Sequence, residues 1–191
     1  MTPETKRKLS HWFILLVPFF YIVALERDTV LFAVGISIVI ISIFEIARQK
    51  SNALNGKLLK LFDGIYRKEE INKTSTLIYT LSGIFFAVFF FEKHIAVLSI
   101  LFLTFGDGFA ALAGERWGKH KIFKGTKKTV EGSIANLSSC LIVGFLYSGF
   151  YEIGYLKIIV ASLAVTIVEV IPKTKDNIII PVVAGLLMTV I

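Results

Sequence analysis

The feature that most constrains this chain is the run TVLFAVGISIVIISIFEIA, residues 29–47, whose one charged side chain is Glu45. A helix of that length rises about 28 Å, close to the ~30 Å hydrocarbon thickness of a bilayer. Six further apolar runs, 11–26, 75–91, 95–113, 133–151, 157–171 and 177–191, leave little sequence to face water. In lipid every backbone polar group must bond internally, which excludes an open sheet, and a barrel would show alternating polarity. The expected fold is therefore all-α: a polytopic integral membrane protein of about seven transmembrane helices, with 1–191 as a single transmembrane domain.

Composition agrees. The chain is 55% hydrophobic and 18% charged, with a mean hydropathy of +0.74. Soluble domains carry roughly 25% charged residues, and a disordered chain needs low hydrophobicity. The net charge of +7 would suggest nucleic acid in a soluble protein. Here the basic residues lie between apolar runs, so the expectation is no nucleic acid partner and a charge pattern set by the bilayer. The lone Cys140 makes no disulfide framework and reads as a small packing residue. His11, His94 and His120 lie too far apart for a local ligand set.

With the N-terminus in the cytoplasm, segments 1–10, 48–74, 114–132 and 172–176 hold 3, 7, 6 and 2 basic residues. The outer connections hold only Arg27, Lys93 and Lys157. This asymmetry is the positive-inside pattern. It supports seven spans, a cytoplasmic N-terminus, an outside C-terminus and a multi-pass protein whose polar substrate arrives from the cytoplasm. The first run follows Lys6-Arg7-Lys8 but lacks a small-x-small cleavage site, so it reads as a retained helix. In the cytoplasmic segment 48–74, Leu54, Leu58, Leu61, Phe62 and Ile65 recur at helical spacing, as in an amphipathic helix on the membrane surface. His11-Trp12 reads as an aromatic-belt anchor.

Acidic groups inside or at the ends of spans are costly and mark functional candidates. Glu45, Asp107, Glu131 and Glu169 qualify. Asp107 lies about 18 Å into its span, some two thirds of the way across the bilayer core of roughly 30 Å. Gly106 and Gly108 flank it and allow close approach of a ligand or backbone. A carboxylate so placed suits a divalent cation. The loop that follows, Gly114 to Ser133, is rich in Gly, Lys and Thr and leads into the fifth span. A helix N-terminus favours phosphate, so the N–H groups of Gly132 and Ser133 are expected to cradle one. Lys127 and Lys128 add positive charge, and Glu131 is a second candidate metal ligand. The competing reading makes the lysines topogenic or lipid-binding, with Thr129 and Glu131 as a cap and a dipole-complementing acid. No Walker loop is present. Asp176-Asn177, before the last span, forms a second short polar site.

The pieces G-D-x-x-A-x-x-x-G at Gly106 to Gly114, Gly118-Lys119, and Lys128-Thr-Val-Glu-Gly-Ser133 resemble the dolichol kinase, phytol kinase and diacylglycerol kinase family of CTP-using membrane kinases. Outside that block, Arg7-Lys8-x-x-His11, Glu45-x-x-Arg48, Arg67-x-x-Glu70, Glu169 and Asp176-Asn177-x-x-x-Pro181 look similar too. The resemblance implies a catalytic membrane domain with cytoplasmic loops 48–74 and 114–132 and an active site facing the cytoplasm. The reaction implied is transfer of the γ-phosphoryl group of a nucleotide, CTP favoured, to the hydroxyl of a lipid alcohol such as a polyprenol, a phytol-type alcohol or diacylglycerol.

The resemblance also implies Mg²⁺ (or Mn²⁺) and distributes roles. Asp107, Lys128 and Glu131 would be catalytic, with Asp107 and Glu131 on the metal. Gly106, Gly108, Gly114, Gly118, Lys119, Lys127, Thr129, Gly132, Ser133, Asp176 and Asn177 would contact nucleotide or phosphate. His11, Glu45, Arg48, Arg67, Glu70 and Glu169 would support the site or meet the lipid. Either Asp107 or Glu131 would take the hydroxyl proton. Phosphatidate cytidylyltransferases share part of this pattern but end in a late D-R pair, where this chain has Asp176-Asn177. A transporter would spread charges through the spans, whereas these acids cluster near the cytoplasmic ends. Nothing in the sequence specifies an oligomeric state.

Overall fold

The computed structural model describes residues 12–51, 55–56, 74–171 and 175–191. A short 3₁₀ turn, Trp12–Leu15, enters α1 (Leu16–Val23), followed by α2 (Arg27–Lys50) and α3 (Thr76–Phe90). A central helix begins as α4 (Lys93–Leu101), passes through a π turn (Phe102–Gly106) and continues as α5 (Asp107–Trp117). Then come α6 (Val130–Ser148), α7 (Tyr155–Val170) and α8 (Asp176–Val190). Among the described residues there is no β-strand, only an isolated bridge between Lys121 and Thr129.

The described residues form an all-helical fold, and each of the seven apolar runs falls on a helix. Among the described residues three helices are long and apolar enough to cross a membrane: Arg27–Lys50, Lys93–Trp117 and Val130–Ser148. His11, Arg67, Glu70 and nearly all of the expected amphipathic helix lie outside the described residues.

The central helix is the most buried of the three long ones, and α2 the least. Ala96 to Ile100, Phe102 and Leu103 are enclosed by Ile84, Ala87 and Val88 of α3, Ile158 and Val165 of α7, and Ile180, Ala184 and Met188 of α8. The exterior is also apolar. Phe32, Val39 and Ile43 on α2, Ile142 and Leu146 on α6, and Ile167 on α7 are all exposed. So large an exposed apolar surface is foreign to a water-soluble monomer and matches a lipid-facing one. This is a membrane protein's inside-out distribution, with a close-packed core and an equally greasy shell.

At the end of the bundle opposite Asp107, polar contacts tie the turns together. The guanidinium of Arg27 donates to the Phe89 carbonyl. Lys93 Nζ lies 5.2 Å from the Tyr21 ring centre, and His94 Nδ1 is 3.2 Å from the Tyr147 hydroxyl. Such cation–π and aromatic contacts suit a boundary where apolar rings meet polar surroundings.

Candidate active site

The site is built on the break in the central helix. A π turn inserts an extra residue into the helical ladder and recurs at functional sites; here it ends at Gly106, and Asp107 opens α5. A Cβ at residue 106 would lie 2.9 Å from both Asn136 Nδ2 and Cys140 Sγ. Glycine is therefore what lets α6 close on the turn. Trp12 packs on the same stretch, its indole Nε1 against Gly108 and its ring 6.1 Å from that of Phe109. It is partly buried against α5.

Asp107, Ala110, Ala111 and Gly114 form one wall of a cleft of about 350 Å³, with Glu115 and Gly118 beyond them. Lys121, Lys127 and Lys128 come from the loop, Thr129 and Gly132 from the start of α6, and Glu169 from the end of α7. The volume is within the usual range for small-molecule sites, roughly 300–1,000 Å³. Small residues on α5 leave the cleft open, and three lysines share its lining with the carboxylates of Asp107, Glu115 and Glu169.

The loop is short and ordered by backbone pairing. Ile122 N–H donates to the Lys128 carbonyl (3.1 Å), and Val130 N–H donates to the His120 carbonyl (3.0 Å). Gly125, at φ +79°, turns the tip in a region other residues seldom adopt. The Thr126 hydroxyl donates to the Phe123 carbonyl at 3.0 Å. This folding back delivers Lys121 and Lys127-Lys128 to the same opening.

The start of α6 is capped from within. Thr129 is the N-cap: its Oγ1 accepts from Gly132 N–H (3.1 Å), and its carbonyl accepts from Ser133 N–H (3.0 Å) and from the Ser133 hydroxyl (3.2 Å). The N–H groups of Val130, Gly132 and Ser133 are thus engaged within the protein. Glu131 turns toward the loop. Its carboxylate accepts from the N–H groups of Lys119 (3.2 Å) and His120 (3.3 Å) and lies 2.7 Å from His120 Nδ1. It fastens the loop to α6 and is absent from the cleft lining, as is the exposed Lys119.

Lys128 is ion-paired with the buried carboxylate of Glu169, and its Nζ is 3.6 Å from Asp176 Oδ2. Asp107 and Asp176 both act electrostatically on Glu169. One ammonium group thus sits among acids from α7 and α8 beside the cleft wall of α5. Glu169, expected to support the site, lines it; Lys121 and Glu115, which sequence reasoning passed over, line it too. Asn177 is elsewhere: its Nδ2 donates to Thr80 Oγ1 at 2.9 Å and fixes α8 to α3. Glu45 and Arg48 form a buried pair at 2.7 Å. Glu45 also accepts from Ser75 N–H (3.1 Å), and Arg48 donates to Asn55 Oδ1 (2.8 Å), so the pair joins the end of α2 to the start of α3.

Among the described residues no three His, Cys, Asp or Glu side chains gather at metal-ligand spacing. Mg²⁺ is commonly held by one or two carboxylates together with substrate phosphates. Asp107 and Glu169 on the cleft wall, beside lysines suited to phosphate, match that donor set; Glu131 stands outside the cleft lining.

Phytol kinase 1, chloroplastic, of Arabidopsis thaliana is 33% identical over 145 residues, covering 66% of this chain and 46% of the relative. CTP-dependent diacylglycerol kinase 1 of Saccharomyces cerevisiae is 24% identical over 153 residues, covering 80% and 53%. Dolichol kinase of Schizosaccharomyces pombe is 34% identical over 88 residues, covering 44% and 17%. The homologues of this chain are kinases of lipid alcohols. They are the kinases that the block from Gly106 to Ser133 resembles. The matched part spans only 35% to 46% of the length of four plant phytol kinases. No family model matches the chain, and no solved structure does.

Proposed function

We propose that this chain transfers the γ-phosphoryl group of a nucleotide, CTP before ATP, to the hydroxyl of a lipid alcohol at a site facing the cytoplasm. The observation that carries the reading is the cleft in which Asp107 and Glu169 face Lys121, Lys127 and Lys128. It is formed largely by the block whose sequence resembles the lipid kinases. The 18-to-3 division of basic residues supports a seven-span topology with this cleft at the cytoplasmic side.

Phosphoryl transfer asks for positioning and charge neutralisation more than covalent chemistry. Lys121 and Lys127 attract and orient the nucleotide phosphates. Lys128 shifts from Glu169 toward the transferring group and stabilises the charge that develops there. Mg²⁺, when bound by Asp107 and Glu169, would neutralise and orient the phosphates. The acceptor hydroxyl enters from the bilayer, and its proton passes to a cleft carboxylate, Asp107 or Glu169. The acceptor oxygen forms the new bond to phosphorus as the bond to the leaving nucleoside diphosphate breaks.

The test is a label-transfer assay on the purified protein in lipid with Mg²⁺. Label moving from γ-labelled CTP or ATP into an organic-soluble phosphate supports the kinase, and the preferred alcohol names the acceptor. Label moving instead from α-labelled CTP into phosphatidate would replace this reading with nucleotidyl transfer.

A further inference from the structure

Directly beneath the cleft lies a second polar layer that the proposed reaction leaves without a task. Asn136 on α6 is fully buried in the bundle. Its Oδ1 is 2.9 Å from Thr166 Oγ1 on α7. Its Nδ2 faces the π turn, 2.9 Å from where a Cβ on Gly106 would stand, and has no hydrogen-bond partner among the described residues. Each contact is close to a charged group of the cleft. Gly106 directly precedes Asp107, and Thr166 is one turn before Glu169. Asn136 itself follows Gly132, a lining residue, by one turn.

We propose that Asn136, held by Thr166, is a positioning residue that sets the π turn and thereby the direction in which Asp107 faces the cleft. An unpaired amide donor is unfavourable in an apolar interior; beside the amide stand Cys140 and the π-turn residue Gly106. Packing alone would be served as well by leucine. An amide placed between two helices and a π turn instead ties their relative rotation together, because one end is held by Thr166 while the other packs closely against Gly106. The hydroxyl of Thr166 also contacts the Ser162 carbonyl at 2.9 Å, so the amide is anchored to a rigid part of α7. Motion of the π turn would swing Asp107, since the two are adjacent in the chain. This role rests on the lipid-kinase reading for its kinetic consequence and on geometry alone for the orientation of Asp107.

Two measurements test it. In the transfer assay, Asn136→Leu should keep the nucleotide KM within about twofold while kcat falls on the order of tenfold to a hundredfold, as for a small misplacement of a reacting group. Thr166→Val should shift kcat in the same direction, and serves if Asn136→Leu fails to fold. Wild-type kcat in both variants would overturn the proposal, as would a rise in KM without loss of kcat. The second measurement needs no activity. Asp107→Cys is labelled with a water-soluble thiol reagent, Cys140 being buried, with and without Asn136→Leu or Thr166→Val. The proposal expects a changed rate at residue 107 and an unchanged rate for a Lys127→Cys control. Equal rates at residue 107 would overturn the positioning role even if the kinase reading stands. A wild-type protein that transfers no phosphoryl group would sink the kinase reading and leave the labelling result to decide the role of Asn136.

Discussion

The ammonium group of Lys128, two residues before α6, is ion-paired with the carboxylate of Glu169 near the end of α7. Both residues line the cleft together with Asp107. Glu169 is almost fully buried, so its charge depends on Lys128 for compensation. Removing one member of a buried pair is strongly destabilising, typically by about 3 kcal/mol or more, because the other charge stays uncompensated. Lys128→Met should therefore lower the melting midpoint in detergent more than Lys127→Met does. The double variant Lys128→Met, Glu169→Gln should recover much of that loss without recovering phosphoryl transfer. Equal melting points for the two single lysine variants would show that the pair contributes little.

Asp107→Asn keeps the shape of the side chain and removes its charge. The protein should insert and melt as the parent does, while transfer falls on the order of a hundredfold or more, the scale of losing one electrostatic stabiliser. Near-normal turnover measured beside an unchanged melting curve would remove Asp107 from the chemistry.

Thr129 caps α6 and lines the cleft at the same time. Thr129→Ala should cost about 1 kcal/mol through the lost cap, and Thr129→Ser, which retains the acceptor oxygen, should restore most of it. Thermal melting of the three proteins checks this; a serine variant no better than alanine would mean that the methyl contact matters more than the cap.

At Gly132 a Cβ would stand 2.9 Å from the Ala110 carbonyl oxygen. Gly132→Ala should force α5 and α6 apart, costing roughly 1–3 kcal/mol as overpacking does, and should narrow or distort the cleft. At Gly154 the nearest atom is the Lys157 Cγ, 3.8 Å away, so Gly154→Ala should be tolerated. Comparing melting points and transfer rates of the two variants decides the matter.

Under the proposed function, chelation of divalent cations should abolish label transfer, and added Mg²⁺ should restore it. Transfer that persists in excess chelator would exclude a metal contribution from Asp107 and Glu169.

Much of this was legible along the chain. Hydropathy is a local property: each residue contributes according to its own side chain, and a run of span length declares itself without knowledge of its neighbours. The apolar runs accordingly coincide with the helices, and the acids near their ends mark where polar chemistry is buried. The block from Gly106 to Ser133 also carried the resemblance to lipid kinases, because α5, the loop and the start of α6 are contiguous and build most of one site.

What the sequence did not disclose was decided by contacts between distant segments. Glu131 and Glu169 look alike as acids at helix ends. The loop's return path brings the N–H groups of Lys119 and His120 to Glu131 and engages its carboxylate, while the packing of α7 against α6 sends Glu169 to Lys128. Asn177 stands beside Asp176 in the chain, yet successive residues on a helix point about 100° apart. Asp176 therefore reaches toward Lys128 while Asn177 turns to Thr80 on α3. The sequence by itself determined an all-helical chain of apolar segments with its acids and lysines grouped near their ends. Only the tertiary structure decided which carboxylate faces which lysine, because helix rotation and the pairing of remote helices, and not residue type, set the direction of each side chain.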